Sequence, residues 1–265
     1  MPLIVWIILF CLVGGVLSVL AAAVFLVLQE TLRNRMLPHL VSFATGTLLG
    51  AAFMGLLPHA LEAPGITDAH LIPMTVLFGL LGFFLLEKMV VWRHCHGDRC
   101  EIHAPDEAHV PGKNGRERSV GTLILIGDGL HNFLDGVLIA GAFLTDVHLG
   151  IVTSLAVTAH EIPQEVGDFA VLLHSGYRRG KALFYNVLSS LTTVIGGVLA
   201  YYALSDLQHA LPYVLAVAAS SFIYIAVADL IPTLHQRIEV SETAMQIILI
   251  AAGVLVIYVT HSTLH

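Results

Sequence analysis

Apolar positions in this chain fall in long runs rather than in short alternating ones. Predominantly apolar stretches of 18 or more residues can be drawn at 3-28, 40-61, 71-91, 120-144, 149-173, 182-204, 211-234 and 243-260. Each is long enough to cross a hydrocarbon core of about 30 Å. Backbone N–H and C=O groups in lipid need partners within the segment, so spans of this length should be helices. Barrel strands would be shorter and would alternate in polarity. The pattern therefore predicts an all-α polytopic membrane protein with eight transmembrane helices in a single domain over 1-265. No basic residue precedes the first run, which is about 26 residues long, so it is expected to stay as helix 1 rather than be cleaved.

Composition agrees. Hydrophobic residues make up 57% of 265 positions and charged residues 12%, too little polar surface to solvate a water-soluble domain of this size. Charge placement adds an orientation, because Lys and Arg collect in cytoplasmic loops. All 12 basic residues lie in or beside the loops after spans 1, 3, 5 and 7: Arg33, Arg35, Lys88, Arg93, Arg99, Lys113, Arg116, Arg118, Arg178, Arg179, Lys181 and Arg237. Glu62, Asp68, Asp146 and Asp206 occupy the opposite loops. Both termini should then face outward. Cys95 and Cys100 fall on the cytoplasmic side and Cys11 within span 1, so no disulfide framework is implied.

One long polar stretch interrupts the pattern, RHCHGDRCEIHAPDEAHVPGKNGRER at 93-118. It has no apolar periodicity and is expected to be disordered. His94, Cys95, His96, Cys100, His103 and His109 could collect metal there, but their spacing matches no closed structural zinc motif. A weak internal symmetry links GLLPHALE around Pro58 with DLIPTLHQ around Pro232. Since these spans run in opposite directions, spans 1-3 and 6-8 are read as a candidate inverted repeat around spans 4 and 5. Gly46 and Gly50 form a small-xxx-small pattern that points to close helix packing.

Spans 4 and 5 carry the chemistry. GDGLHNFLDG and HEIPQEVGD place Asp128, His131, Asn132, Asp135, His160, Glu161, Gln164, Glu165 and Asp168 at membrane depth. His131 lies 13 residues beyond Arg118, about 20 Å along a helix. Such a group cannot snorkel out to water. At about 100° per residue, Asp128, His131 and Asp135 fall within about 60° on one helix, and the span 5 group within about 140° on the other. Two polar stripes in lipid must face each other or a wet cavity. A divalent cation is the partner that neutralises their excess negative charge. Imidazole nitrogen with carboxylate oxygen suits zinc, and also iron(II), cobalt or manganese, better than calcium or magnesium. Pro163 lacks an N–H, so span 5 is expected to be broken near the ligands, with the Ala159 carbonyl released.

HNFLDG and HEIPQEVGD resemble the paired signatures of the ZIP (Zrt/Irt-like) metal transporters, closest to the branch whose fifth helix reads HEIPHEVGD. The resemblance implies uptake of zinc, iron or manganese toward the cytoplasm, a homodimer, and sliding of a bundle of helices 1, 4, 5 and 6 against the rest. Carried over by position, His131, Asp135, His160 and Gln164 would form a primary metal site. Asn132 and Glu161 would contribute to a second site sharing Asp135. Gln164 departs from the His or Glu found there in the family, and Thr193 stands where some bacterial members place a second-site Glu. The family pattern also implies a metal-capture role for His59 and Glu62 at the outer mouth, and an inward path past Asp229 and His235.

The sequence thus predicts a carrier, not an enzyme, that moves zinc, and with it iron, manganese or cadmium, as substrate and needs no cofactor. Its expected partners are divalent ions, the bilayer and a second copy of itself, with no nucleic acid. Two alternatives stand beside it. An efflux carrier would use the same site in the other direction. An intramembrane zinc metalloprotease would use His160-Glu161 as the start of HExxH, but Gln164 occupies the position of the required second His. Compact loops point to a bacterial inner membrane.

Overall fold

The computed structural model describes residues 1–68, 70–94, 114–235 and 240–264. They form helical units α1 (Leu3–Val27), α2 (Glu30–Glu62), α3 (Leu71–His94), α4 (Asn114–Thr145), α5 (Val147–His174), α6 (Arg179–Leu204), α7 (Gln208–Leu234) and α8 (Val240–Leu264). Among the described residues, seven helices are long and apolar enough to cross a membrane. The remaining one, α5, has 28 residues, about 42 Å of helix. It owes its lower hydropathy to its own His and carboxylate stripe. It is shielded by α1, α2, α4 and α8, which pack around it.

Several helices start outside the spans drawn from the sequence. α4 begins at Asn114, so the last residues of the expected polar loop are helical. Asn and the charged helix formers Arg116, Glu117 and Arg118 follow Pro111, which cannot sit further into a helix. The loop ligands Cys95, His96, Cys100, His103 and His109 lie outside the described residues. The expected break at Pro163 does not occur, because α5 is continuous through it. Only the hydrogen bonds next to a proline are lost, and in lipid every other backbone pair still favours the helix. Breaks are found elsewhere, as π-helical turns at Val13–Leu17, Ala51–Leu56 and Ile225–Leu230. The last two directly precede Pro58 and Pro232 and contain Met54 and Ala228, the residues whose carbonyls a proline four positions on cannot serve. Widening the turn accommodates both gaps.

Helix pairing follows small residues. Gly46 of α2 meets the Ile250 backbone of α8, and Gly50 meets Val254 and Ile257, so the two helices run parallel. Gly136 of α4 lies against the Thr193 carbonyl of α6 so closely that any side chain there would overlap backbone. Without a hydrophobic drive between helices in lipid, such approaches supply the dispersion contacts that hold the bundle. The pairs α2 with α8 and α3 with α7 mirror one another, as do α4 with α6 and α5 with α1. These are the pairings an inversion relating helices 1–3 to 6–8 would produce. Outward faces are apolar, including Leu77, Phe78, Leu81, Phe84 and Leu85 on α3, as lipid contact requires.

The connection between α4 and α5 is a single extended residue, Asp146. Its carboxylate accepts from the backbone N–H of His148 at 2.8 Å and Leu149 at 3.0 Å. Partial burial pushes this carboxyl upward, but those two bonds outweigh it and hold it below the ordinary carboxylate range. This capped turn sets the register between the two stripes that build the site.

Candidate metal centre

His131 and Asp135 sit one turn apart on α4, and His160 and Glu161 are adjacent on α5. The structure brings one ligand atom of each within 4.8 Å of the others. His131 Nε2 stands 3.3 Å from His160 Nε2, 3.3 Å from Glu161 Oε1 and 3.8 Å from Asp135 Oδ2. His160 Nε2 stands 3.4 Å from Asp135 Oδ2 and 3.6 Å from Glu161 Oε1. A tetrahedron of ligands about 2.0–2.1 Å from a central zinc has edges of about 3.3–3.4 Å. The four atoms therefore already approximate the outline of a tetrahedral ligand shell.

Hydrogen positions follow from the partners. His160 Nδ1 lies 3.1 Å from the Ala156 carbonyl, which can only accept, so Nδ1 carries the proton and Nε2 presents a lone pair. That lone pair faces carboxylate oxygens that are also acceptors. Neither oxygen of Asp135 or of Glu161 has a hydrogen-bond donor, and all four are buried. Two buried carboxylates converging on two imidazole nitrogens make a ligand set that could hold a divalent cation. The Phe222 ring closes the far side of His160 at 6.2 Å between centroids.

The centre lies at the head of a cavity of about 790 Å³. The walls come from the Leu37–Val41 region of α2, Phe83 and Glu87 of α3, Asp128 to Leu134 of α4, His160 to Asp168 of α5 and Ser221 to Leu234 of α7. Every one of these segments is the part of its helix nearer the basic loops. His131 and His160 both border the cavity, and His131 is the more accessible, its side chain 25% exposed against 1% for the other three. Asp229 lines the same space, and Tyr224 donates a hydrogen bond to Glu87 across it. Toward the acidic loops the path is filled by side chains such as Leu48, Leu56, Phe143, Leu149, Val152 and Phe222.

The other residues singled out in the sequence take different places. Gln164 lines the cavity beside the tetrad. Asn132 is fully buried and donates to Asp128 Oδ1 at 2.8 Å, while its own carbonyl oxygen accepts from Thr193 at 2.8 Å. Glu161, assigned by resemblance to an adjacent site, shares the tetrad with Asp135. His59 lies at the acidic end with its ring 5.6 Å from that of His261, and Glu62 is exposed. His235 is exposed at the end of α7. Sequence reasoning missed Asn186 and Ser189. With Thr193 they repeat at i, i+3 and i+7 on the apolar helix α6, a stripe that period alone would have flagged.

Comparison with known proteins bears on the whole chain. The family model described as ZIP Zinc transporter matches residues 2–261. The zinc transporter YKE4 of Saccharomyces cerevisiae is 30% identical over 236 residues, covering 81% of this chain and 68% of its own. The zinc transporter ZIP13 of Gallus gallus is 28% identical over 274 residues, with 86% and 75% covered. The metal cation symporter ZIP14 of Xenopus tropicalis is 28% identical over 276 residues, with 83% and 59% covered. With a family model matched nearly end to end, on a bundle of membrane-length helices around two imidazoles and two carboxylates, this chain belongs to the ZIP zinc transporter family.

Proposed function

We propose that the protein carries zinc, with iron, manganese and cadmium as secondary substrates, from outside into the cytoplasm, and that His131, Asp135, His160 and Glu161 hold the ion in transit. One observation carries this reading: two imidazole nitrogens and two buried carboxylates converge at the head of a cavity that opens toward the basic loops. Two carboxylates balance the charge of a divalent ion, so it can shed water there at little electrostatic cost. Gln164, on the cavity wall, offers a neutral amide oxygen as the next ligand toward the exit, and Asn132 holds the α4–α6 seam beside it. The basic loops mark the cytoplasmic side by charge bias, so the cavity is the inward path and both termini lie outside. Eight crossings, with α5 as the buried one, are consistent with that polarity. A homodimer and sliding of α1, α4, α5 and α6 against the remainder follow from family likeness. Residence in a bacterial inner membrane is supported by the compact loops.

Accumulation of labelled zinc in cells expressing the protein tests the proposal. Glu161→Ala, Asp135→Ala and His131→Ala should each abolish accumulation at unchanged membrane abundance. Undiminished uptake in these variants would remove the tetrad from the path, and zinc depletion by the wild type would favour the efflux alternative. Competition by iron, manganese and cadmium ranks the substrates.

A further inference from the structure

A second cavity, of about 420 Å³, lies along the seam between α4 and α6. Its rims are Ile126 and Leu130 of α4 and Leu188 and Ile195 of α6, each more than half exposed, so it forms a groove that faces lipid. Two hydroxyls lie on its floor, but Ser189 donates to Asp128 Oδ2 at 2.5 Å and Thr192 to the Gly129 carbonyl at 2.6 Å. Both protons are thereby spent within the protein, and the lining is left apolar. From Tyr185 to Ile195 the groove follows ten residues of α6, about 15 Å of helix. That is half of a hydrocarbon core of about 30 Å, the depth of one leaflet.

The end of the groove nearer the basic loops is cationic. Lys181 Nζ stands 5.5 Å from the centre of the Tyr185 ring, which lines the groove, and 6.0 Å from that of Tyr177. Arg178 and Arg179 adjoin it, and all three are exposed. Among the described residues no carboxylate forms an ion pair with any of them. A Cβ at Gly121 of α4 would meet Tyr177 Cε2 at 2.8 Å, so the start of α4, with Arg116 and Arg118 in its first turns, reaches the same level. Basic residues and tyrosines at a membrane border are the chemistry that holds an anionic headgroup.

We propose that an anionic phospholipid of the leaflet on the basic-loop side docks here, one acyl chain in the α4–α6 groove and its phosphate on Arg179 and Lys181. A second copy of the chain is the poorer occupant. Copies of like orientation in a membrane are related by a two-fold axis along its normal, which would bring two basic clusters together at one depth, where they repel.

The test places a tryptophan in the groove, Leu188→Trp, in the full chain with Trp6 and Trp92 replaced by Phe. Its fluorescence is read in phosphatidylcholine vesicles carrying either brominated phosphatidylglycerol or brominated phosphatidylcholine. The brominated phosphatidylglycerol should quench at a mole fraction at least about fivefold lower, the worth of one Lys or Arg near an anionic surface. Arg179→Gln combined with Lys181→Gln should erase that preference. Gly129→Leu, whose Cβ meets nothing closer than 3.8 Å, should fill the groove and weaken quenching by both lipids. Equal quenching by the two lipids, a preference that survives the double Gln variant, or quenching indifferent to Gly129→Leu overturns the site. Protection from both lipids also overturns it and would place a second copy in the groove. If the tryptophan variant does not elute as a folded protein, native mass spectrometry of the unaltered chain in dodecyl maltoside decides. Phosphatidylglycerol adducts should then outlast phosphatidylcholine adducts, an advantage that the double Gln variant loses; equal retention overturns the site.

Discussion

The two halves of the bundle are built on opposite terms. Toward the acidic loops, helices meet through alanines and interlocked large side chains, with Phe143, Leu149, Leu215 and Phe222 all fully buried. Toward the basic loops the same helices part around a polar cavity. The tetrad sits at the boundary. Its carboxylates are sealed from one side and His131 is reachable from the other. One sequence thus carries a packed half and an open cavity in register, and on the uptake path proposed above an ion would meet them in turn.

The largest expected effect tests the seam that both halves share. Gly136→Val would drive a side chain into the Thr193 carbonyl, a backbone clash that neither helix can relieve. Folded, monodisperse protein should disappear on size-exclusion chromatography, and normal recovery would mean that the α4–α6 approach is not required. A second measurement separates the halves. In a background lacking the native cysteines, Leu134→Cys on the cavity wall should react with a charged thiol reagent supplied from the cytoplasmic side. Ala219→Cys, 0% exposed, should stay protected from both sides. Labelling of both would show that the apolar half does not seal.

The smallest effect concerns the turn that aligns the stripes. Asp146→Ala removes an N-cap and should cost about 1 kcal/mol, read as a lower unfolding midpoint with little change in zinc accumulation. Because this carboxyl is held below its ordinary value of about 3.9, its contribution is fully present above that value. It fades as pH falls through the lowered folded one. The difference in stability between wild type and Asp146→Ala should therefore shrink on acidification.

Much of this was legible from the chain alone, and for identifiable reasons. Run length marked the helices, because lipid leaves the backbone no alternative to internal pairing. The i, i+4 spacing of His131 and Asp135, and adjacency on the next helix for His160 and Glu161, placed the ligands on facing stripes. The long polar and ionisable content of α5 did not hide it, since position 160 onward is where such residues have a use. Helix extensions at Glu30 and Asn114 were not legible, because they lie beyond the apolar runs and are set by local helix propensity. The π-turns before Pro58 and Pro232 were signalled only by the prolines themselves.

What the sequence by itself determined is the class of molecule and the cast of ligands: length, apolar periodicity and the rarity of charge in lipid leave few alternatives. What only the tertiary structure decided is which ligands meet. Stripes specify a face of a helix but not its depth relative to a neighbour. That depth depends on backbone approaches such as Gly136 to Thr193 and on the single-residue turn at Asp146. Those contacts bring Glu161 to the tetrad, hold Asn132 against Thr193 and leave Gln164 on the wall.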